Sequence, residues 1–188
     1  MNSLIQFWEK EDKSTKKTEN QRQRYQRLQA KPEIMRIIEM GGGNAMGTAM
    51  ERYARFHFAP LLKERAKKSA DANSTGHDQR IMVGAVEKKM EQKSSGLWGD
   101  GDTFRWQHLE IKHKWDGLLL TGIYPDRIVF WGMTRKAFMK CIEDGTVTNQ
   151  GNQQKDSTEG MWMLYKDIKD SLVELKTNED LLTFAATC

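Results

Sequence analysis

Residues 85–95 run Ala85-Val86-Glu87-Lys88-Lys89-Met90-Glu91-Gln92-Lys93-Ser94-Ser95, a segment that ends with an acid and a base separated by one residue. On an extended strand, the side chains of residues i and i+2 point to the same face. Glu91 and Lys93 are therefore expected to stand side by side. The carboxylate can hold a divalent cation there, and the ammonium can meet a water molecule or a phosphate oxygen.

A second carboxylate lies upstream, at Asp78 in the segment Gly76-His77-Asp78-Gln79-Arg80-Ile81-Met82-Val83. This segment has the character of a strand, and Gly84-Ala85 can turn it back onto the strand that carries Glu91. We therefore predict a hairpin that brings Asp78 to the Glu91/Lys93 pair at one end.

A rival acid-x-Lys motif occurs at Glu110-Ile111-Lys112, in a chain of which 30% of the residues are charged. Around it, Phe104, His108 and Ile111 recur at helical spacing, which predicts a helix over residues 103–113. On a helix, the side chains of residues i and i+2 diverge, so this second pair would not share a metal site. The strand motif is the favoured one.

Length and composition set the frame for these motifs. A chain of 188 residues is expected to form one domain with a single core. It has no run of about 18 apolar residues and no signal-peptide pattern at its start, so we expect no membrane association. Two cysteines, Cys141 and Cys188, suit a reducing, cytoplasmic compartment. The net charge of +4 permits a nucleic-acid partner without requiring one.

The first part of the chain is predicted to be helical. Residues 1–31 form a basic arm in which Arg22 and Arg24 are expected to contact DNA phosphates, or else to lie on a solvated helical face. A short helix should follow from Pro32. The next helix, capped by Asn44 and ending before Pro60, has an apolar stripe of Ala45, Ala49, Tyr53, Phe56 and Ala59. Glu51 lies off that stripe, either as a solvated carboxylate or as a supporting acid near the metal site.

Two nearly continuous apolar runs, 115–123 and 127–133, predict buried strands. Thr134 should cap a helix that continues through Ile142. A long polar loop follows over residues 145–160. Amide side chains can pair bidentately with adenine, so this loop is a candidate DNA-recognition segment, with a plain solvated loop as the alternative. Its candidate DNA-binding residues are Asn149, Gln150, Asn152, Gln153 and Lys155.

Three other site types are excluded by the sequence. Gly42 and Gly47-Thr48 have the spacing of a phosphate-binding loop, but no Lys precedes Thr48 and no strand precedes the loop, so we expect no nucleotide cofactor. Gly122-Ile123-Tyr124 lacks the second Tyr-Ile-Gly that nucleases beginning at Gly-Ile-Tyr need. The histidines lack the spacing of zinc ligands; they are His57, His77, His108 and His113.

Three ordered segments resemble the type II restriction endonucleases of the PD-(D/E)XK superfamily. In such sequences an E-x-K-S-S strand is followed by an F-x-W-Q-H-like helix and a D-x-L-L-L-x-G strand. Here they are Glu91–Ser95, Phe104–His108 and Trp115–Ile123, and the resemblance covers residues 45–142. The sequence departs from the family pattern in having His77, not Pro, before the acid. Asp71 or Glu87 therefore remain alternatives to Asp78.

The resemblance implies an α/β (α+β) fold with a restriction-endonuclease-like core, in which a mixed central sheet is flanked by helices. Residues 1–188 would form one nuclease domain, with a catalytic core over 44–142 and a closing segment over 145–188. Asp78, Glu91 and Lys93 would be catalytic. Mg²⁺ would be held by Asp78, Glu91 and the backbone carbonyl of Gln92, with Glu51 as a further candidate ligand.

The implied activity is Mg²⁺-dependent, sequence-specific cleavage of double-stranded DNA by a homodimer, because two-fold symmetric proteins match palindromic sites. A structure-specific repair or recombination nuclease is one alternative. The other, from a different class, is a DNA-binding module with an inactive nuclease fold.

Overall fold

The structure, a computed structural model, describes residues 19–40, 43–64, 76–99, 101–150 and 160–188. Within these residues, nine strands form one mixed sheet. The strands are β1 (Lys63–Glu64), β2 (Gln79–Val83), β3 (Val86–Trp98), β4 (Thr103–Leu109), β5 (Gly117–Ile123), β6 (Ile128–Thr134), β7 (Thr148–Asn149), β8 (Met161–Leu164) and β9 (Val173–Leu175).

Helices flank this sheet, which confirms the predicted α/β class with a mixed central sheet. Those described are α1 (Gln21–Arg27), α2 (Pro32–Ile38), α3 (Gly43–His57), α4 (Arg135–Glu143), α5 (Tyr165–Ile168) and α6 (Asn178–Thr187), with a short 3₁₀ helix at Lys169–Ser171. No helix in the described ranges has the length and apolar character needed to cross a membrane.

The long strand β3 is the centre of the sheet. Its first part pairs antiparallel with β2, its middle pairs parallel with β5, and its last two residues pair antiparallel with β4. From β5 the sheet continues through β6 to β9, and from β4 it continues through β8 to β7. The middle of β3, which carries Glu91 and Lys93, is thus paired with β5 on one edge, whereas the pairing with β2 ends at Met90.

Every residue of β5 is buried, as its apolar sequence predicts. Its alternate side chains enter two cores, one on each face of the sheet. Leu119 packs in the core that contains Phe58 after α3 and Phe184 of α6. The core on the other face contains side chains from β5, α1, α2 and α4, among them Leu118, Leu120, Tyr25, Ile34 and Phe138.

The predicted hairpin is confirmed. Gly84 and Ala85 form the turn between β2 and β3, and Val83 pairs with Val86 across it. Gly84 has a φ of 60°, a conformation that glycine adopts without the steric cost of a Cβ atom. The cap at Thr134 is also confirmed, because its hydroxyl accepts the N–H of Ala137 at 3.1 Å at the start of α4.

The predicted helix over residues 103–113 is wrong, because residues 103–109 form strand β4. Phe104 and Trp106 are buried in the core, whereas Arg105 and Gln107 lie on the other face and are half-buried. The register of β4 against β8 shifts between Trp106 and Leu109. This bulge, where His108 has a φ of 58°, breaks the alternation and produced the apparent helical spacing.

Helix α3 exists as predicted, but its buried face differs from the predicted stripe. The helix already begins at Gly43, so Asn44 lies within it and is not its cap. Met50 and Ala54 are buried, whereas Tyr53 and Phe56 are exposed, Phe56 to 80%. The helix is therefore rotated relative to the prediction, and Glu51 is half-buried.

Helix α1 is fixed to the ends of β3 and β5 by Tyr25. Its hydroxyl donates to the carbonyl of Ile123 and accepts the N–H of Leu97 at 3.0 Å. Burial raises the pKa of Tyr25 to about 12. Gly96 makes the close approach of α1 possible, since a Cβ atom there would collide with the side chain of Gln21.

Candidate active site

The hairpin places Asp78 beside the motif on β3. Gln79 pairs with Met90, and the N–H of Asp78 donates to the carbonyl of Met90 at 3.0 Å, so Asp78 lies one position further along, across from Glu91. One carboxylate oxygen of Asp78 accepts the N–H of Gln92 at 2.9 Å. Asp78 is therefore tied to the peptide that lies between Glu91 and Lys93.

Glu91 and Lys93 form a close ion pair, as their i, i+2 spacing predicts. Lys93 Nζ lies 2.6 Å from Glu91 Oε1, and the Glu91 side chain is only 8% exposed. Burial raises the pKa of the Glu91 carboxyl; the Lys93 charge opposes this shift, and the nearby Asp78 carboxylate adds to it. The site thus holds a carboxylate that is costly to ionise next to a cation that offsets only part of this cost.

Behind this pair, a layer of amide side chains ties α3 to the sheet. The side-chain NH₂ of Gln92 donates to the Met50 carbonyl at 3.1 Å and to the Thr121 hydroxyl at 3.2 Å, while its oxygen accepts from Gln79 at 3.0 Å. The Gln79 amide also donates to the Glu51 carbonyl. Since buried amides are costly when unpaired, these bonds fix the orientation of β3 at the motif.

A cleft of about 610 Å³ opens at the site between α3, the hairpin and β4. Glu51, Asp78 and Lys93 all line it, so α3 does bring Glu51 to the cleft that the hairpin residues occupy. The buried Glu91 lies against Lys93 next to this cleft. The other lining residues are Gln21, Gly43, Asn44, Met46, Gly47, Thr48, Gln92, Ser94, Ser95, Gly96, Trp98, Arg105, Gln107 and His108.

The donor atoms suit a hard cation. The carboxylates of Asp78 and Glu51 line the cleft, and the buried carboxylate of Glu91 lies beside it against Lys93. In the described ranges, however, no three His, Cys, Asp or Glu residues cluster closely enough to form a complete protein cage for a metal. Mg²⁺ is compatible with such an incomplete set, because it usually binds one or two carboxylates and retains several waters.

The rival motif lies in a turn after β4, not on a helix. Lys112 Nζ is 3.6 Å from Glu110 Oε2, and the Lys112 side chain is 76% exposed. Neither residue lines the cleft that contains Asp78 and Lys93. The preference for the motif on β3 therefore agrees with the geometry, although the helical argument for it was wrong.

The two arginines predicted to contact DNA phosphates lie in different environments. Arg22 is exposed and pairs with Glu39 at 2.9 Å. Arg24 is buried, and its guanidinium donates to the carbonyl of Leu97 at 2.6 Å and to that of Glu19 at 3.3 Å. This internal role is at odds with a phosphate contact by Arg24, because its guanidinium is directed towards the protein backbone.

The predicted recognition loop is described only at its start. Asn149 ends β7, and the side-chain oxygen of Gln150 accepts the N–H of His108 at 3.1 Å, which fastens the loop to the bulge of β4. Asn152, Gln153 and Lys155 lie outside the described residues.

Sequence reasoning missed the contribution of β4 to the cleft. Arg105 and Gln107 line it together with Trp98 at the end of β3. The signal was the segment Phe104-Arg105-Trp106-Gln107, in which apolar and polar residues alternate, as is typical of a half-buried strand.

The chain was compared with protein-family models, with curated proteins and with solved structures, and none of the three comparisons finds a match.

Proposed function

We propose that the chain is a Mg²⁺-dependent, sequence-specific endonuclease of double-stranded DNA, similar to the type II restriction enzymes of the PD-(D/E)XK superfamily. The observation that carries the proposal is the hairpin geometry. Asp78 is bonded to the peptide between Glu91 and Lys93, and Asp78 and Lys93 face one open cleft. The acid and the Glu-x-Lys motif, which are separated by a short spacer in the sequence, are therefore also close together in the fold.

Phosphodiester hydrolysis requires a water molecule in line with the leaving oxygen and relief of the negative charge that develops on the phosphate. Asp78, Glu91 and the Gln92 carbonyl would hold Mg²⁺, with Glu51 as a further candidate. When bound, the ion supplies charge stabilisation to the phosphate oxygens. Lys93 would orient the attacking water, since its ammonium is fixed by Glu91 and lines the cleft.

The pairing of Glu91 with Lys93 supports this assignment energetically. A buried carboxylate with a raised pKa is common at functional sites, where charge is concentrated at a cost in stability. A cation bound at Asp78 and Glu91 would relieve that cost. The cleft is lined by two cations, Lys93 and Arg105, and by two acids, Glu51 and Asp78. A bound metal ion would offset the acids, so the cleft would then suit the highly charged backbone of double-stranded DNA.

Digestion of a supercoiled plasmid with and without Mg²⁺ tests the proposal. Discrete fragments that require Mg²⁺ are the expected result. A smear would indicate a nonspecific or structure-specific nuclease, and intact DNA that is nevertheless retained by the protein would indicate an inactive DNA-binding module. Intact DNA with no retention would overturn the proposal altogether.

A further inference from the structure

The guanidinium of Arg105 is enclosed between two indole rings. Its central carbon lies 4.7 Å from the ring centroid of Trp98 and 4.6 Å from that of Trp162. These rings come from strands on both sides of β4, Trp98 from the end of β3 and Trp162 from β8. Rings from the two strands that flank β4 therefore both contact the cation, which restricts the orientations that its plane can adopt.

Gln107 occupies one edge of the guanidinium. All guanidinium nitrogens are donors, so the Gln107 amide is oriented with its oxygen towards them. In this orientation the oxygen accepts from Arg105 Nε at 3.2 Å and from Arg105 Nη2 at 2.8 Å. That contact uses the side edge of the fork. The end edge, formed by Nη1 and the second hydrogen of Nη2, is directed away from Gln107.

The cation has no carboxylate within ion-pair distance among the residues that the structure describes. The other two arginines that stack on aromatic rings have partners for their guanidinium groups. Arg127 stacks on Tyr124 but is paired with Asp126, and Arg135 stacks on Trp115 but donates to backbone carbonyls. Arg105 combines a fixed plane, an open fork and a place in the cleft wall.

We infer that Arg105 is a specificity-determining residue that recognises a guanine in the major groove of the DNA substrate. This inference rests on the proposed function. A guanine presents O6 and N7 as a pair of acceptors, and an arginine that approaches them edge-on forms two parallel hydrogen bonds. Contact with both rings restrains the plane of the fork before DNA binds, so less side-chain freedom remains to be lost on recognition.

A phosphate also accepts two hydrogen bonds from an arginine, but it imposes no particular plane on the guanidinium. Contacts to phosphates position a protein on the duplex and carry no sequence information, whereas contacts to base edges specify the sequence. The enclosure between Trp98 and Trp162 favours recognition of a base edge, for which the orientation of the plane matters.

Selection from a pool of random-sequence duplexes, with Ca²⁺ in place of Mg²⁺, tests the inference. The wild-type chain should retain duplexes that share at least one invariant G·C pair. In Arg105→Lys, which keeps the charge but loses the fork, the preference for that pair over A·T should fall by about 10- to 100-fold. The salt dependence of binding should stay the same, and Arg127→Lys, the matched stacked control, should behave as wild type.

Gln107→Ala provides a second variant that leaves Arg105 in place. It should weaken the same G·C preference and no other, because the guanidinium loses its lateral support. The inference is overturned if Arg105→Lys, folded by its thermal midpoint, keeps the full G·C preference. It is also overturned if this variant loses affinity equally for all sequences and the salt slope falls by about 0.9, the signature of one lost phosphate contact.

The outcomes separate the inference from the function on which it rests. Cleavage in Mg²⁺ without an Arg105-dependent G·C preference would leave the nuclease assignment intact and refute the inference. An Arg105-dependent preference without cleavage would refute the nuclease assignment alone. Failure of the wild-type chain to retain any duplex would refute both.

Discussion

The Lys93 ammonium lies 2.6 Å from the buried Glu91 carboxylate, whereas Lys112 lies 3.6 Å from Glu110 in an exposed turn. The first pair lies where β3 pairs with β5 and where the Gln92 N–H donates to the Asp78 carboxylate, so its geometry is set before any ligand arrives. The second pair is screened by solvent and carries little interaction energy. The same two residue types at the same spacing thus form a fixed, buried ion pair on β3 and a weak, exposed ion pair after β4.

Glu91→Ala and Lys93→Ala should each reduce DNA cleavage by about 100-fold or more, because each removes a charged group from the centre of the site. Initial rates on plasmid DNA measure the effect. Lys112→Ala, the matched control, should cut at the wild-type rate. Near wild-type cleavage by either site variant, or loss of cleavage in a folded Lys112→Ala, would contradict the assignment to β3.

Asp78→Asn should also reduce cleavage strongly, because a neutral amide is a poor ligand for Mg²⁺. Asp116 offers a matched control, since its carboxylate likewise accepts a backbone N–H of β3, from Lys89 at 2.7 Å, but lies outside the cleft. Asp116→Asn should therefore lower the thermal midpoint to a similar extent without lowering the cleavage rate per folded molecule. If the two variants lost activity equally, Asp78 would have only a structural role.

Glu91→Gln should stabilise the metal-free protein at neutral pH. The pKa of Glu91 is raised above its ordinary value of 4.5 in the folded state, so its contribution to stability is complete below pH 4.5 and is lost as the pH rises through the folded-state pKa. Glutamine stays neutral and avoids this loss. Thermal midpoints at pH 4 and pH 7 should show a gain for the variant only at pH 7.

A lower midpoint for Glu91→Gln at pH 7 would mean that attraction to Lys93 outweighs the effect of burial. Mg²⁺ provides an independent readout. It should raise the midpoint of the wild-type chain, because a ligand that binds only the folded state stabilises it. The rise should be smaller in Glu91→Gln.

Tyr25→Phe should lower the free energy of unfolding by about 1–3 kcal/mol, because it leaves the buried Leu97 N–H and Ile123 carbonyl without their shared hydroxyl. Denaturant unfolding measures this, and Tyr53→Phe on the exposed face of α3 is the control. The Tyr25 pKa is raised from 10.0 to about 12, so the wild-type chain should also lose stability relative to the variant between pH 10 and pH 12. A constant difference over that range would contradict the role given to the hydroxyl.

The chain should form a dimer on its DNA site, since one active site cuts one strand and a two-fold axis provides a second site for the other strand. Sedimentation velocity with the selected duplex should show two chains per duplex. One chain per duplex, together with cleavage of both strands, would argue against the symmetric arrangement.

Local signals in the sequence were sufficient for the hairpin and for β5. Gly84 marks the turn, and the unbroken apolar run of β5 matches a strand buried on both faces. The prediction failed at β4, where the bulge at His108 interrupts an alternation of only four residues and mimics a helical period. A bulge depends on the partner strand β8, more than 50 residues away in the chain, and so has no local signature.

The sequence predicted those parts of the candidate site that depend on local structure, and missed those that depend on long-range strand pairing. Asp78 directly precedes β2, and Glu91 and Lys93 lie on β3, so the hairpin alone brings them together. The sequence left the place of Glu51 open, because Tyr53 and Phe56 have the helical spacing of a buried face but are exposed on α3. Trp162 could not be related to Arg105 at all, because their proximity depends on the pairing of β4 with β8.

Strand β3 carries Lys93 and, five residues later, Trp98, one of the rings that enclose Arg105. At about 3.3 Å per residue, their Cα atoms are at most about 17 Å apart, close to the length of five base-pair steps of DNA. Under the proposed function, β3 would therefore set the distance between the bond that is cleaved and the base that Arg105 recognises. A single-residue insertion between Lys93 and Trp98 would move every later side chain of β3 to the opposite face of the sheet. This distance can therefore be lengthened only in steps of two residues.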